Sequence, residues 1–135
     1  MKDALFDYRF EVTLQEADAA GRMFFDHLFH HAHAAYEAFM RSHGAPLEAL
    51  LAQGIRIPLV HAEAVCHRPI AHGQLVRVTL YLQRLGGTSF TLCHRFLDQD
   101  GVLLAEAKTT HVHLAATTEA ATPLPPRLQR LFTVG

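Results

Sequence analysis

Apolar and polar side chains alternate from Phe6 onward. Phe6, Tyr8, Phe10, Val12 and Leu14 interleave with Asp7, Arg9, Glu11, Thr13 and Gln15. A period of two sustained this long predicts a strand with one buried face. The period stops at the turn Glu16 to Arg22, where Gly21 is the permissive position. From about Phe25 to His43 the spacing becomes helical. Leu28, Phe29, Ala32, Ala35, Tyr36, Phe39 and Met40 form one apolar stripe. Asp26 is placed to cap the helix and Gly44 to stop it. Pro46 opens a second, short helix carrying Leu47, Leu50 and Leu51, which Gly54 ends.

Beyond Gly54 the period returns to two. Ile57 to His67 reads as a strand broken at Arg68-Pro69. Gln74 to Leu85 sets Val76, Val78, Leu80 and Leu82 against Arg77, Thr79, Tyr81 and Gln83. Gly86-Gly87 is a turn and Thr88 to Leu97 a strand. Asp98-Gln99-Asp100-Gly101 is a hairpin loop, and Val102 to Leu114 is the last strand. Thr122 to Pro126 is Pro-rich, and Arg127 to Phe132 predicts one or two closing helical turns.

Strand, long helix, short helix and four strands joined by short turns predict an α+β fold. One antiparallel sheet must cover the apolar face of the long helix. No β-α-β alternation or glycine-rich phosphate loop supports a dinucleotide fold. The 135 residues suffice for a single domain spanning 1–135. Half the residues are apolar and 19% charged, which excludes a disordered chain. A net charge of −1 gives no bulk basic field for nucleic acid or an anionic membrane. The charged N-terminus is neither signal peptide nor anchor, so a cytoplasmic location is expected. Cys66 and Cys93, each inside a strand-like run, are expected as small buried thiols.

Chemistry concentrates around Asp18. A turn aspartate first reads as a cap for local N–H groups. The same carboxylate, just before a helix N-terminus, also suits a nucleophile or general base. The unpaired N–H groups near Phe25 could hold a developing oxyanion. Eleven histidines are the compositional oddity. His27 and His31 share a helix face, as do His30 and His33, but no HExxH motif accompanies them, so a polar helix face is favoured over metal. His111 and His113 share a strand face as lining or packing residues. His61 and Glu63 share a strand face and, with Glu37, could line a polar pocket or stay solvated. Arg84, Thr88 and Ser89 flank a glycine turn, a place either for phosphate or for turn chemistry alone.

The run Glu16-Ala17-Asp18-Ala19-Ala20-Gly21, two bulky residues and the pair Phe24-Phe25 resembles the active-site signature of hotdog-fold acyl-CoA thioesterases of the 4-hydroxybenzoyl-CoA thioesterase type. His33-Ala34-Ala35-Tyr36-Glu37 is similar to the central helix of the 1,4-dihydroxy-2-naphthoyl-CoA branch. Pro69 with Gly73, Gly87-Thr88-Ser89-Phe90 and Leu124-Pro125 extend the resemblance along almost the whole chain. It implies a curved antiparallel sheet wrapped around the long helix, in homodimers that pair into dimers of dimers with active sites at the interface. It implies hydrolysis of a coenzyme A thioester without metal or other cofactor, with Asp18 as the carboxylate and the Phe25 N–H as the oxyanion donor. Gly21, Phe24, His33 and Glu37 are expected near the substrate, together with His61 and Glu63. Coenzyme A phosphates are expected around Arg84, Thr88 and Ser89. Two departures stand out. Glu16 replaces the commoner Asp, and Phe25 stands where one branch carries a histidine, which favours an aromatic acyl group. A hotdog dehydratase acting on hydroxyacyl thioesters and a non-catalytic acyl-CoA binding protein are the alternatives. A metal-binding helix built on His27 and His31 is a third.

Overall fold

The computed structural model describes residues 3–23 and 25–133. Five strands form one antiparallel sheet: β1 (Phe6–Glu11), β2 (Leu59–Cys66), β3 (Leu75–Leu85), β4 (Ser89–Leu97) and β5 (Leu103–Val112). Their spatial order is β1-β3-β4-β5-β2. The helices are α1 (His27–Ser42), α2 (Leu47–Ala52) and α3 (Pro126–Thr133). Hairpin connections join β3, β4 and β5, whereas β1 and β2 are brought to the two edges by longer connections.

The alternating pattern selects what each strand turns inward. Val76, Val78 and Leu80 of β3 are buried, as are Phe90, Leu92 and Phe96 of β4 and Ala105 and Ala107 of β5. The stripe of α1 lies on this face in two patches. Leu28, Ala32 and Ala35 meet Val12, Val76, Phe96 and Ala107. Tyr36, Phe39 and Met40 meet Leu80, Phe90, Leu92 and, from α3, Leu128 and Phe132. Alanines supply the helix side of the first patch together with Leu28. Large side chains fill the second, each contributing roughly 1.5–3 kcal/mol on burial.

Four expectations need correcting. The first strand ends at Glu11 rather than running to Gln15. Leu14–Glu16 is a 3-10 turn, closed because the Glu16 carboxylate accepts hydrogen bonds from both the N–H and the hydroxyl of Thr13. Leu14 is therefore 70% exposed. Asp26 precedes α1 but has helical dihedrals and makes no side-chain cap. Leu59 opens β2 two residues later than expected, after Pro58. Cys93 is buried, as expected, but Cys66 is exposed, because β2 is an edge strand with little covering it. Gly21 and Gly44 hold the expected left-handed dihedrals, with φ of 76° and 75°.

Candidate active site

Asp18 heads a tight reversal whose arms pair antiparallel through Ala17 and Met23. Its N–H donates to the Arg22 carbonyl at 2.7 Å, and its carbonyl accepts the Gly21 N–H at 3.0 Å. Oδ1 accepts the Ala20 N–H at 2.8 Å and the Arg22 N–H at 3.0 Å. One oxygen thus does all the local capping a turn aspartate usually does. Oδ2 has no hydrogen-bond partner among the described residues.

Backbone bonds fasten the reversal to the segment before β3. Met23 N–H donates to Ile70 at 2.7 Å and His72 N–H to Gly21 at 2.8 Å. The result is a cleft of about 330 Å³, lined by Asp18, Arg22, Met23, Phe25, Leu28 and the run from Cys66 to Ile70. Asp18 and Phe25 therefore line one space. The Phe25 carbonyl accepts the Leu28 N–H at 3.1 Å, while its own N–H donates to no described residue. The Phe25 ring is half exposed and meets Phe29 edge-on at 6.1 Å. Asp26 makes no side-chain cap at the start of α1; its carbonyl accepts the Phe29 N–H at 3.2 Å. Phe24 lies outside the described residues.

The cleft also holds residues that sequence reasoning missed. Arg22 and Arg68 both line it, and neither forms an ion pair with a described residue. Arg22 sat inside the recognised signature, so only its charge was overlooked. Arg68 and Ile70 reach the site through tertiary pairing and left no local signal.

Other candidate residues lie elsewhere. His33 and Glu37 pair with each other on α1 at 2.9 Å. His61 and Glu63 pair with each other on β2 at 3.4 Å. No hydrogen bond or ion pair among the described residues joins the two couples. Arg84, Thr88 and Ser89 sit at the β3–β4 hairpin, roughly 30 Å along β3 from Leu75, next to the Asp18 turn. The same end of the sheet carries a second cavity of about 450 Å³ between α1, α2 and the end of β5. Its walls include Leu47, Leu50, Leu51 and Ile57, with His33, Tyr36 and His111 also lining it.

Beneath this part of α1 lies a histidine cluster. Thr109 Oγ1 is 2.9 Å from His94 Nε2 and 3.0 Å from His111 Nε2. One imidazole accepts the hydroxyl proton and the other donates to its oxygen. Burial, reinforced by His111, pushes His94 down to about 3. Burial, reinforced by His33, pushes His111 down to about 4. Both are neutral near pH 7. Tyr36 lies against His111, ring centroids 4.5 Å apart and planes tilted by 34°, and its buried hydroxyl has no hydrogen-bond partner among the described residues.

Comparison with known proteins fits this geometry. The family model for the thioesterase-like superfamily matches residues 12–132. The 1,4-dihydroxy-2-naphthoyl-CoA hydrolase of Rippkaea orientalis is 34% identical over 87% of this chain and 88% of its own. The crystal structure of Slr0204, a 1,4-dihydroxy-2-naphthoyl-CoA thioesterase from Synechocystis, superposes with a TM-score of 0.90. It is 28% identical, with 96% of each chain covered. The gentisyl-coenzyme A thioesterase BH1999 gives a TM-score of 0.82 at 26% identity, over 93% of this chain and 98% of its own.

Proposed function

The chain belongs to the thioesterase-like superfamily and has its hotdog fold, and from that premise we propose that it hydrolyses a coenzyme A thioester with an aromatic acyl group at Asp18. The observation that carries this reading is the divided Asp18 carboxylate. One oxygen is held by two N–H groups, while the other is unspent beside a cleft shared with Phe25. A thioester seated there presents its carbonyl carbon to Asp18, or to a water that Asp18 deprotonates. Its carbonyl oxygen faces the Phe25 N–H and the positive end of α1. As the tetrahedral intermediate forms, negative charge grows on that oxygen, where fixed N–H dipoles stabilise it most. Collapse breaks the C–S bond. Where Asp18 deprotonated the water, it returns that proton to the departing thiolate; where Asp18 attacked, water then cleaves the acyl-aspartyl anhydride and supplies the thiolate's proton. Either way coenzyme A leaves as the thiol and water supplies the oxygen of the free acid. Either role for Asp18 needs the same placement.

The substrate class rests on several supports. The relatives named above act on naphthoyl and gentisyl esters. Arg22 and Arg68 supply two cations for the coenzyme A phosphates beside the cleft. The leucine-lined cavity, where His111 is held neutral and Arg56 and Glu119 supply polar groups, suits a planar group carrying a few polar substituents.

The assembly is part of the same reading. Leu59, Val60 and Val65 are all about half exposed on edge strand β2, an unprotected template for strand pairing. Antiparallel pairing of two β2 strands about a two-fold sets the Leu59 end of one against the Cys66 end of the other. The cavity of one copy then adjoins the Asp18 cleft of its mate, which receives the hairpin bearing Arg84, Thr88 and Ser89 at the same end. Two such dimers form the tetramer. A cytoplasmic location belongs to the same proposal. No helix among the described residues is long and apolar enough to cross a membrane.

Thiol release measured across acetyl, palmitoyl, benzoyl and hydroxynaphthoyl coenzyme A tests the proposal. The aromatic esters are expected to give the highest kcat/KM. Release no faster than the buffer blank, or a clear preference for the linear chains, contradicts it.

A further inference from the structure

Glu16 lies at the root of the Asp18 turn, only 7% exposed. Its Oε1 accepts the Thr13 N–H and hydroxyl, each at 3.0 Å. Its Oε2 is 2.5 Å from His31 Nε2 and 3.9 Å from His27 Nδ1. His31 in turn lies flat on Phe10 of β1, ring centroids 3.5 Å apart and planes 6° apart. One run of contacts, Phe10–His31–Glu16–Thr13, therefore joins β1, α1 and the turn.

The other fastenings of the turn go elsewhere. Gly21 and Met23 bond to His72 and Ile70, and Val12 bonds to Gly73 and Gln74. These fix the turn to the segment before β3. They do not fix it to α1, and Asp26 makes no cap that would. A buried side-chain hydrogen bond from His31 to Glu16 ties the turn to α1. Asp18 is two residues beyond Glu16, and Phe25 is less than two helical turns before His31.

We propose that Glu16 and His31 are positioning residues, setting the distance between the Asp18 carboxylate on the turn and the Phe25 N–H at the helix start. The inference rests on the roles given to Asp18 and Phe25 above. Those two groups act on one carbonyl, so an error of about 1 Å between them costs on the order of a hundredfold.

The pair has the chemistry for a rigid link. Burial alone would raise Glu16, but bonds from the Thr13 N–H, His31 and the Thr13 hydroxyl hold it below its ordinary value. Burial lowers His31 more than Glu16 raises it, and His30 and His27 add to the lowering. The pair is therefore a carboxylate and a neutral imidazole donating its Nε2–H. His31 Nδ1 is buried without a hydrogen-bond partner among the described residues, so a second ring proton would find no acceptor among them. His27 and His30 are the other titratable groups facing His31.

The test uses the fastest ester of the wild-type protein, with kcat and KM measured for Glu16→Ala, His31→Leu, their double variant and His31→Gln. Glu16→Ala and His31→Leu are expected to lose about 10- to 100-fold in kcat. KM should move less than about threefold, because the groups that bind the ester are untouched. The double variant should lose no more than the worse single one, as residues acting as a unit do. His31→Gln, whose amide N–H can replace the imidazole donor, should recover most of kcat. Circular dichroism and a thermal melt give the folded fraction to which kcat is normalised. A purely structural pair would lower Tm while leaving normalised kcat intact, and that result overturns the proposal, as does multiplicative loss in the double variant. Should Glu16→Ala not fold, His31→Gln against His31→Leu decides, equal kcat being the overturning result. A wild-type protein inert on every ester brings down the Asp18 reading and this inference with it. An active wild type with unchanged variants brings down this inference alone.

Discussion

Two regions beside α1 hold ionisable groups in opposite conditions. At the helix start, Asp18 spends one carboxylate oxygen on its own turn and keeps the other beside an open cleft. Further along, His94 and His111 meet only through Thr109 Oγ1, buried beneath rings, and His94 Nδ1 has no hydrogen-bond partner among the described residues. The first arrangement has an unspent lone pair where a substrate can reach it. The second has more titratable groups and less to do with them. On the proposed reading, reactivity follows access rather than the number of histidines, even in a chain with eleven of them.

Breaking the oxyanion half of the first region should give the largest effect. Phe25→Pro removes the backbone donor at a position just before α1, where proline is tolerated. It should cost about 100-fold or more in kcat with little change in ester affinity. Rapid-quench hydrolysis beside equilibrium binding separates the two, and an equal loss in both would mean that the residue shapes the pocket instead.

The second region should govern stability against pH. The folded-state values of His94 and His111, about 3 and about 4, lie below the ordinary 6.5. As pH falls below 6.5 the unfolded chain takes up protons that the folded chain refuses. Stability is thus complete above about pH 6.5 and declines toward pH 4, by up to roughly 1.4 kcal/mol per pH unit for each histidine. Urea melts from pH 7.5 to 4.5 should show this slope, and His94→Gln should flatten it while kcat at pH 7.5 stays within about threefold. A slope unaltered by the substitution would take His94 out of the account.

The smallest effect sharpens the same contrast. Tyr36 buries a hydroxyl that has no partner among the described residues, and an unsatisfied buried polar group costs about 1–3 kcal/mol. Tyr36→Phe should leave stability unchanged or raise it by up to about 1 kcal/mol in a urea melt. A loss larger than that would reveal a hydrogen bond to the hydroxyl.

Much of this architecture can be read from residue order. The alternation in Phe6–Val12 and in Leu75–Leu85 requires half-buried strands, and the stripe from Leu28 to Met40 requires a covering sheet. Gly21 and Gly44 fall where only a left-handed residue serves. Side-chain bonds and strand order escape such reading. Periodicity carried β1 on to Leu14, and it is the Glu16 carboxylate folding back on Thr13 that ends it. Cys66 and Cys93 sit in similar apolar runs, yet one strand is an edge and the other is central. The Asp18 signature was legible because the whole motif is contiguous. Arg68, Ile70 and the His31 contact were not, since they arrive through pairing between distant segments.

The most direct measurement is single-turnover hydrolysis of a benzoyl or hydroxynaphthoyl coenzyme A ester by wild type and Asp18→Asn, with binding of the same ester measured on both. Asn preserves size and can still accept the Ala20 and Arg22 N–H bonds through its amide oxygen, so the turn survives while the carboxylate is lost. The account predicts a fall of about 100- to 1,000-fold in the chemical step with affinity within a few-fold. Hydrolysis by Asp18→Asn at close to the wild-type rate would contradict it.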